Sequence, residues 1–211
     1  AELLGVTGHW PTAIQPGPRL LQLLKAQPAL IEQTAHVLSA SDWLGFWMTG
    51  NAGYEASQAS ETLLFSLNQR GWCADWIARL GLPRDIFPDP LDAGSQLGEL
   101  GPLAAEKLGL AEGTTVAVGA ADSQSALLAA ACVEAGELCA VTGSSLPVQL
   151  VMDVPVTDPD GALWTSHHAV PGLWVLESNG GPIGESLEWA ARLLFADSPR
   201  PVERLFAEAA A

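Results

Sequence analysis

One segment constrains the fold more than any other. Between Thr114 and Cys132 an apolar run passes directly into an alanine-rich run, and Asp122 is the only charged residue in the segment. The first part, TTVAVG, is β-branched and continuously apolar, which is typical of a strand buried on both faces. The second part, SQSALLAAAC, is rich in strong helix formers. A buried strand that leads straight into a helix predicts an α/β fold, with Asp122 at the junction.

An aspartate at such a junction has two interpretations. As a helix cap, its carboxylate would accept amide hydrogens of the first helical turn, typically worth about 1 kcal/mol. As a site residue, it would face the crevice outside the carboxyl ends of the strands, where α/β sheets bind ligands. Ser123 could cap the helix equally well, so capping does not require an aspartate. The local sequence leaves both interpretations open.

The sequence patterns before and after this junction differ. Before the junction, apolar positions at helical spacing predict several short helices, with Asp42 as the cap of one of them, while DIFPDPLDAGSQLGELG reads as irregular. After Gly136 short strand patterns dominate: a Thr-Gly-Ser-Ser turn joins one pair, and a second pair flanks Pro171-Gly172. GPIGESLEWAARLLFAD then predicts an amphipathic helix. The change near Gly136 predicts a domain boundary there.

Composition excludes several partners and compartments. The 211 residues contain 24 acidic and 9 basic side chains, for a net charge of −15. Such a surface repels phosphate backbones and anionic lipids, so we expect no nucleic acid and no membrane partner. No apolar run reaches the length of about 18 residues that a membrane span needs. The three cysteines lack metal-type spacing, and their odd number favours a reduced, cytoplasmic location.

Two further motifs could carry chemistry. The amides and hydroxyls of the tight turn TGSSLP could form an anion-binding concavity, although a plain hairpin turn is the commoner interpretation. His167 and His168 are adjacent in a predicted strand, so their side chains face opposite sides and cannot easily share a metal ion. We expect one of them to be buried and the other exposed. Neither a phosphate-binding P-loop nor a dinucleotide fingerprint occurs.

Taken in order, several stretches resemble the FGGY family of carbohydrate kinases, within the actin/hexokinase/Hsp70-like superfamily. The matching stretches are SDWLGFWMTG, SQASETLLF, WCADWIARLGLP, QLGELGPLAAEKLGLAEGTTVAVGAAD, TGSSLPVQL and HHAVPGLWVLESNGGPIGESLEW. The resemblance implies an α/β, actin-like (ribonuclease H-like) ATPase fold. It further implies that residues 1–136 are the latter part of the N-terminal, sugar-binding domain. Residues 137–211 would then begin the C-terminal, nucleotide-binding domain.

The resemblance also implies roles for residues of the first half. Asp122 matches the family's catalytic base, which accepts the proton of the sugar hydroxyl and so also contacts the substrate. Gln124 lies two residues further on and could reach the sugar. On this basis Asp122 and Gln124 are the expected substrate-binding residues.

For the second half, the resemblance implies a nucleotide site. Gly143, Ser144 and Ser145 match the turn that binds the phosphates of ATP, with Ser144 in place of the usual threonine. Gly184 and Glu188 match positions near the nucleotide, although the family often has glutamine at the latter. ATP and Mg²⁺ are the implied cofactors, and no residue of this chain is assigned as a metal ligand.

The implied activity is ATP-dependent phosphorylation of a sugar or polyol hydroxyl. A ketopentose such as xylulose is the expected substrate, with glycerol or another polyol as the alternative. The family's first phosphate-binding hairpin and its glycine-rich adenosine motif have no match here, so we expect an internal fragment that is inactive alone. The same departure leaves open a non-catalytic binding or regulatory module. The oligomeric state is also open, with a homodimer as one option.

Overall fold

The computed structural model describes residues 2–143 and 145–210. Short helices are the main regular elements of the first half, and a four-stranded sheet dominates the second. The helices are α1 (Glu2–Thr7), α2 (Pro16–Ala26), α3 (Pro28–Glu32), α4 (Ala40–Thr49), α5 (Ala56–Ser60), α6 (Ala74–Arg79), α7 (Pro102–Leu108), α8 (Asp122–Ala129), α9 (Ile183–Leu194) and α10 (Pro201–Ala209). The strands are β1 (Tyr54–Glu55), β2 (Phe65–Ser66), β3 (Gly71–Trp72), β4 (Pro90–Leu91), β5 (Gln96–Glu99), β6 (Thr115–Ala117), β7 (Leu138–Ala140), β8 (Pro147–Met152), β9 (Trp164–His167) and β10 (Trp174–Asn179).

Aromatic side chains form the main core of the first half. Trp72 lies at its centre, with ring centroids 5.0 Å from Tyr54, 5.3 Å from Phe65 and 4.9 Å from Phe87. Its indole Nε1 donates to the carbonyl oxygen of Pro88 at 2.7 Å. This arrangement buries large apolar rings and still gives the polar edge of the indole a partner.

The strand that precedes Asp122 is less buried than its sequence predicts. In β6 only Val116 is buried, while Thr115 and Ala117 are exposed, so the prediction of burial on both faces is wrong. Among the described residues β6 pairs only with β5, antiparallel. β5 and β4 both lie in the segment predicted to be irregular, which is a second error. Such short strands owe their existence to a distant pairing partner rather than to a local pattern.

The second half contains the predicted strand pairs. Its antiparallel sheet has the order β7-β8-β10-β9, so the hairpin across the TGSSLP turn and the pair around Pro171-Gly172 are both confirmed. The predicted amphipathic helix is also confirmed as α9. It packs against α10.

A polar seam joins the sheet to the first half of the chain. The amide of Thr165 donates to the carbonyl of Gly8 at 2.9 Å, and the amide of His167 donates to the hydroxyl of Ser60 at 3.1 Å. The indole of Trp174 donates to the carbonyl of Leu67 at 2.9 Å. These directional bonds fix how β9 and β10 sit on the first half.

The prediction that Asp42 caps α4 is wrong. Ser39 occupies the N-cap position and accepts the amide of Asp42 at 3.2 Å. Asp42 instead lies in the first turn, where its Oδ2 accepts the Ser39 hydroxyl at 2.7 Å and its Oδ1 accepts the amide of Glu55 at 3.2 Å. Asp42 therefore ties α4 to the chain that follows it.

Among the described residues, every helix is too short or too polar to span a lipid bilayer.

Candidate active site

Asp122 is the first residue of α8 and is exposed. The N-cap position belongs to Ala121, which has no side-chain acceptor. The Asp122 carboxylate accepts the amide of Ser123 at 2.7 Å, so it satisfies one free amide of the first turn while remaining open to solvent. The N-cap interpretation of Asp122 is therefore wrong, because this residue stands one position later, and its carboxylate at the helix start stays open to a ligand.

A buried chain of hydrogen bonds fixes the start of α8. The amide of Ala121 donates to the hydroxyl of Ser57 at 3.0 Å. That hydroxyl donates in turn to the carboxylate of Glu55, which also accepts the amide of Gln58 at 3.0 Å. Ser57 and Glu55 are almost fully buried. The residue that precedes Asp122 is therefore anchored to α5.

The charge of Asp122 acts on two further carboxyl groups. Glu61 follows α5, and Glu177 lies on β10. Burial raises the pKa of both carboxyls, to about 7 for Glu177, and the negative charge of Asp122 raises both further. The charge of Glu61 also raises the pKa of Glu177, whereas a hydrogen bond from Gln149 opposes the rise. Asp122, Glu61 and Glu177 thus form an acidic group, in the sense that their charges act on one another.

Glu61 is held by residues from two distant parts of the chain. The Ser166 hydroxyl donates to Glu61 Oε1 at 3.1 Å, and the same hydroxyl lies 3.0 Å from Nε2 of His9. Burial lowers the pKa of His9 to about 4, so its imidazole is neutral at pH 7. The 4.0 Å approach of His9 to Glu61 is therefore not an ion pair at that pH.

The turn predicted to bind phosphate lies at one end of the sheet. Ser144 is outside the described residues. The amide of Gly143 donates to the carbonyl of Ser145 at 3.0 Å, so this amide is engaged within the turn. The amide of Gly180 donates to the carbonyl of Leu146 at 2.8 Å, which places the start of α9, with Gly184, beside the turn. The structure therefore brings Gly143, Ser145 and Gly184 to the same end of the sheet.

Two predicted site residues have other surroundings. Gln124 is buried within α8, with 2% of its surface exposed. Glu188 lies one turn beyond Gly184, where its exposed carboxylate contacts the guanidinium of Arg192. The roles of Gln124 with the sugar and of Glu188 with the nucleotide stay predictions.

The adjacent histidines are both buried, so the expectation that one of them is exposed is wrong. Nε2 of His167 lies 3.0 Å from the carbonyl of Ser66. His168 accepts the amide of Val170 on Nδ1 at 2.8 Å and approaches the carbonyl of Cys132 with Nε2 at 3.2 Å. The two side chains therefore have separate partners in the seam.

No local sequence pattern predicts the acidic group. Glu61, Glu177 and Gln149 read as ordinary strand or helix positions, and His9 lies in a stretch rich in proline and glycine. Only the fold brings them together. The one usable signal was the presence of ionisable residues within otherwise apolar segments, which is uncommon unless they are partnered.

Comparison with known proteins gives the class of fold. The chain superimposes on the xylulose kinase of Rhodospirillum rubrum with a TM-score of 0.87 and 25% sequence identity, over 97% of this chain and 41% of that one. The fold is thus that of the actin-like sugar kinases.

The sequence comparisons give the family. Residues 3–129 match the model of the N-terminal domain of the FGGY family of carbohydrate kinases, and the chain belongs to that family. It is 33% identical over 185 residues to the Bacillus subtilis protein named "Putative sugar kinase YoaC", covering 87% of this chain and 37% of that protein. It is 30% identical over 204 residues to an autoinducer-2 kinase of Escherichia coli, covering 97% of this chain and 38% of that one. The chain therefore spans well under half the length of these relatives.

Proposed function

We propose that the complete gene product transfers the γ-phosphoryl group of ATP to a hydroxyl group of a sugar or polyol. The observation that carries the proposal is the position of Asp122. Its exposed carboxylate stands on the first residue of α8, and the preceding residue, Ala121, is bonded to the buried Ser57. Membership of a carbohydrate kinase family supports the reaction class. A polyhydroxylated five-carbon ketose such as xylulose is the proposed substrate.

In the proposed reaction Asp122 accepts the proton of the substrate hydroxyl. The hydroxyl oxygen attacks the γ-phosphorus of ATP, the bond from that phosphorus to the bridging oxygen breaks, and ADP leaves. This chemistry depends mainly on positioning and charge neutralisation. The anchored start of α8 contributes to the positioning, because the bond between Ala121 and Ser57 holds the backbone that carries Asp122.

The proposed phosphate site is the end of the sheet where Gly143 and Ser145 lie beside the start of α9. Mg²⁺ would neutralise phosphate charge there. In the described part of the chain, no three His, Cys, Asp or Glu side chains are grouped closely enough to hold an ion by themselves. The residues present would therefore hold Mg²⁺ together with the nucleotide rather than alone, and Asp122 would supply a hard oxygen ligand.

The test is the Asp122→Asn variant of the complete gene product. Substrate-dependent release of ADP should fall by about 10²–10⁴-fold, the usual contribution of a general base. The melting temperature should change little, since the exposed carboxylate bonds only to the adjacent Ser123 among the described residues. Asp75→Asn is the matched control, because Asp75 is also an exposed acid in the first turn of a helix, α6.

The outcomes separate the two functional hypotheses. Loss of turnover in Asp122→Asn alone supports the kinase. Retained turnover would remove Asp122 from the chemistry. A wild-type protein that binds sugar or ATP without releasing ADP would instead indicate the non-catalytic binding module.

A further inference from the structure

Two of the three cysteines lie where the chain passes from α8 to the four-stranded sheet. Cys132 follows the end of α8, and Cys139 lies in β7. Both are half-buried and carry free thiols, whereas Cys73 is buried in the first half of the chain. The reaction proposed above uses none of the three.

Strand register places Cys139 on the buried face of the sheet. Cys139 is paired with Gln149, and residues directly opposite each other in an antiparallel pair share a face. Gln149 is fully buried, as is Val151 two residues further along β8. The amide of Val151 donates to the Glu137 carbonyl at 2.9 Å, which continues the pairing of β7 and β8 back to Glu137. Since Glu137 lies two residues before Cys139, the two side chains share this face.

The end of α8 is bonded to the same part of the sheet. Glu137 Oε2 accepts the amide of Val133 at 2.7 Å, and Nε2 of His168 lies 3.2 Å from the carbonyl of Cys132. These bonds hold Cys132 against the face on which Cys139 lies. The two thiols share a hydrogen bond. Cys132 and Cys139 are therefore side-chain neighbours.

Two thiols in contact can form a disulfide by exchange with a small disulfide such as oxidised glutathione. The thiolate of one cysteine attacks a sulfur of oxidised glutathione, and one glutathione thiolate leaves. The thiolate of the other cysteine attacks the protein sulfur of this mixed disulfide, and the second glutathione thiolate leaves. The two cysteines are oxidised, one glutathione disulfide is reduced to two glutathione molecules, and the two cysteine protons end on their sulfurs.

The surroundings of Cys132 favour a disulfide over a thiolate. Burial, followed by the neighbouring Cys139 thiol and the charge of Glu137, raises the pKa of Cys132. The reduced form therefore gains no stabilisation as a thiolate, whereas strongly oxidising disulfides owe their easy reduction to a stabilised reduced form. Disulfides of reducing compartments are usually transient, and redox sensing is one of their roles.

We propose that Cys132 and Cys139 form a reversible disulfide that ties the end of α8 to β7 and slows the reaction when the protein is oxidised. The oxidant is a small disulfide of the glutathione class. α8 carries Asp122 at its first residue and β7 begins the sheet, so the bond fixes the helix to the sheet. The effect on turnover rests on the proposed function, because enzymes commonly close around their substrates and a covalent tie restricts such motion. Formation of the disulfide does not depend on that function.

The first measurement counts free thiols in the complete gene product after anaerobic equilibration in glutathione buffers, by alkylation in denaturant and intact mass. We expect the wild type to lose two free thiols when oxidised glutathione is in excess and to regain both when reduced glutathione is in excess. Peptide mapping should assign the bond to Cys132 and Cys139. A persistent mixed disulfide with glutathione, a bond that includes Cys73, or no oxidation at all overturns the proposal.

Single substitutions show which thiols take part. Cys132→Ser and Cys139→Ser should each prevent the intrachain bond. Cys73→Ser is the matched control and should form the bond as the wild type does, because Cys73 is buried and burial raises the pKa of its thiol to about 11. Circular dichroism shows whether each variant folds, and the thiol count on the wild type needs no variant.

The second measurement compares substrate-dependent release of ADP by the oxidised and the reduced wild type. Oxidation should lower kcat by about fivefold or more, the lower end of the usual coupling between two sites, and dithiothreitol should restore it. Cys132→Ser should have the same kcat after either treatment. An equal kcat of the oxidised and reduced wild type overturns the regulatory effect.

Failure of this inference is distinguishable from failure of the proposed function. If the reduced wild type has turnover but no bond forms in any glutathione buffer, the thiol pair is wrong and the kinase stands. If the bond forms as expected but the reduced wild type has no turnover, the kinase is wrong and the disulfide stands.

Discussion

The buried His167 makes the stability of the protein depend on pH in a calculable way. Burial, aided by the charge of Arg70 and opposed by the hydrogen bond to Ser66, lowers the pKa of His167 to about 4 from 6.5. Because the folded pKa is the lower one, the unfolded chain takes up the proton first as the pH falls. The stability due to neutral His167 is complete above pH 6.5 and is lost between pH 6.5 and about 4.

The size of the effect follows from the two pKa values. The whole interval corresponds to about 3 kcal/mol, and about 2 kcal/mol of it is already lost at pH 5. In His167→Gln the amide can still donate to the Ser66 carbonyl, but the side chain does not titrate. The lost ring contacts with Phe65 and Trp174, at centroid distances of 5.5 and 5.8 Å, cost the variant the same free energy at every pH.

The measurement is urea unfolding of wild type and His167→Gln, followed by tryptophan fluorescence and circular dichroism from pH 5 to pH 9. The difference in the free energy of unfolding should be constant above pH 7.5 and should shrink by about 2 kcal/mol at pH 5. Other titrating groups, including Glu177, are present in both proteins and cancel in the difference. A difference that stays constant down to pH 5 would refute the reasoning, because His167 would then titrate alike in both states.

Two further substitutions test the seam and the anchored helix start. Gly8→Ala would place a Cβ 2.1 Å from the carbonyl oxygen of Thr165 at a φ of +78°, and we expect it to cost more than about 2 kcal/mol in urea unfolding. The control is Gly50→Ala, which has a φ of +77° and no heavy atom within 4 Å of the added Cβ, and which should cost only about 1 kcal/mol. Equal losses of unfolding free energy in the two variants would exclude the close contact at Gly8. Ser57→Ala should cost about 1–3 kcal/mol and also lower kcat, because the amide of Ala121 loses its buried partner; an unchanged kcat would show that this bond does not position Asp122.

Local sequence patterns predict which helices and strands form better than they predict which of these elements are buried. The helix that begins at Asp122, the hairpin across the TGSSLP turn and the helix α9 all follow from short-range periodicity and turn residues. The burial of β6 does not follow from its local sequence, because an apolar strand is covered only where another element packs on it. In this chain Val116 meets the core cluster around Leu100, and its neighbours in β6 face outward.

In the candidate site too, local sequence predicts one residue, and the rest depend on the fold. Asp122 is identifiable because a lone charge interrupts an apolar segment. The side chains around it are not identifiable, because His9 and Ser166 are 157 residues apart in the chain and Gln149 and Glu177 meet only across two paired strands. Their identity depends on strand register and on the seam, and neither is encoded in a stretch of neighbouring residues.

The register of the sheet therefore determines the chemistry proposed here. A strand with one apolar and one polar face is held in register by that contrast, since a slip of one residue exchanges its faces. β9 lacks the contrast, because Thr165, Ser166 and His167 are all polar and all buried. Its register must come from directional bonds instead, and the amides of Thr165 and His167 supply them by donating to Gly8 and Ser60. Since β10 pairs with β9, the same bonds fix the position of Glu177 relative to the first half of the chain. The seam is thus the part of the fold on which the acidic group depends.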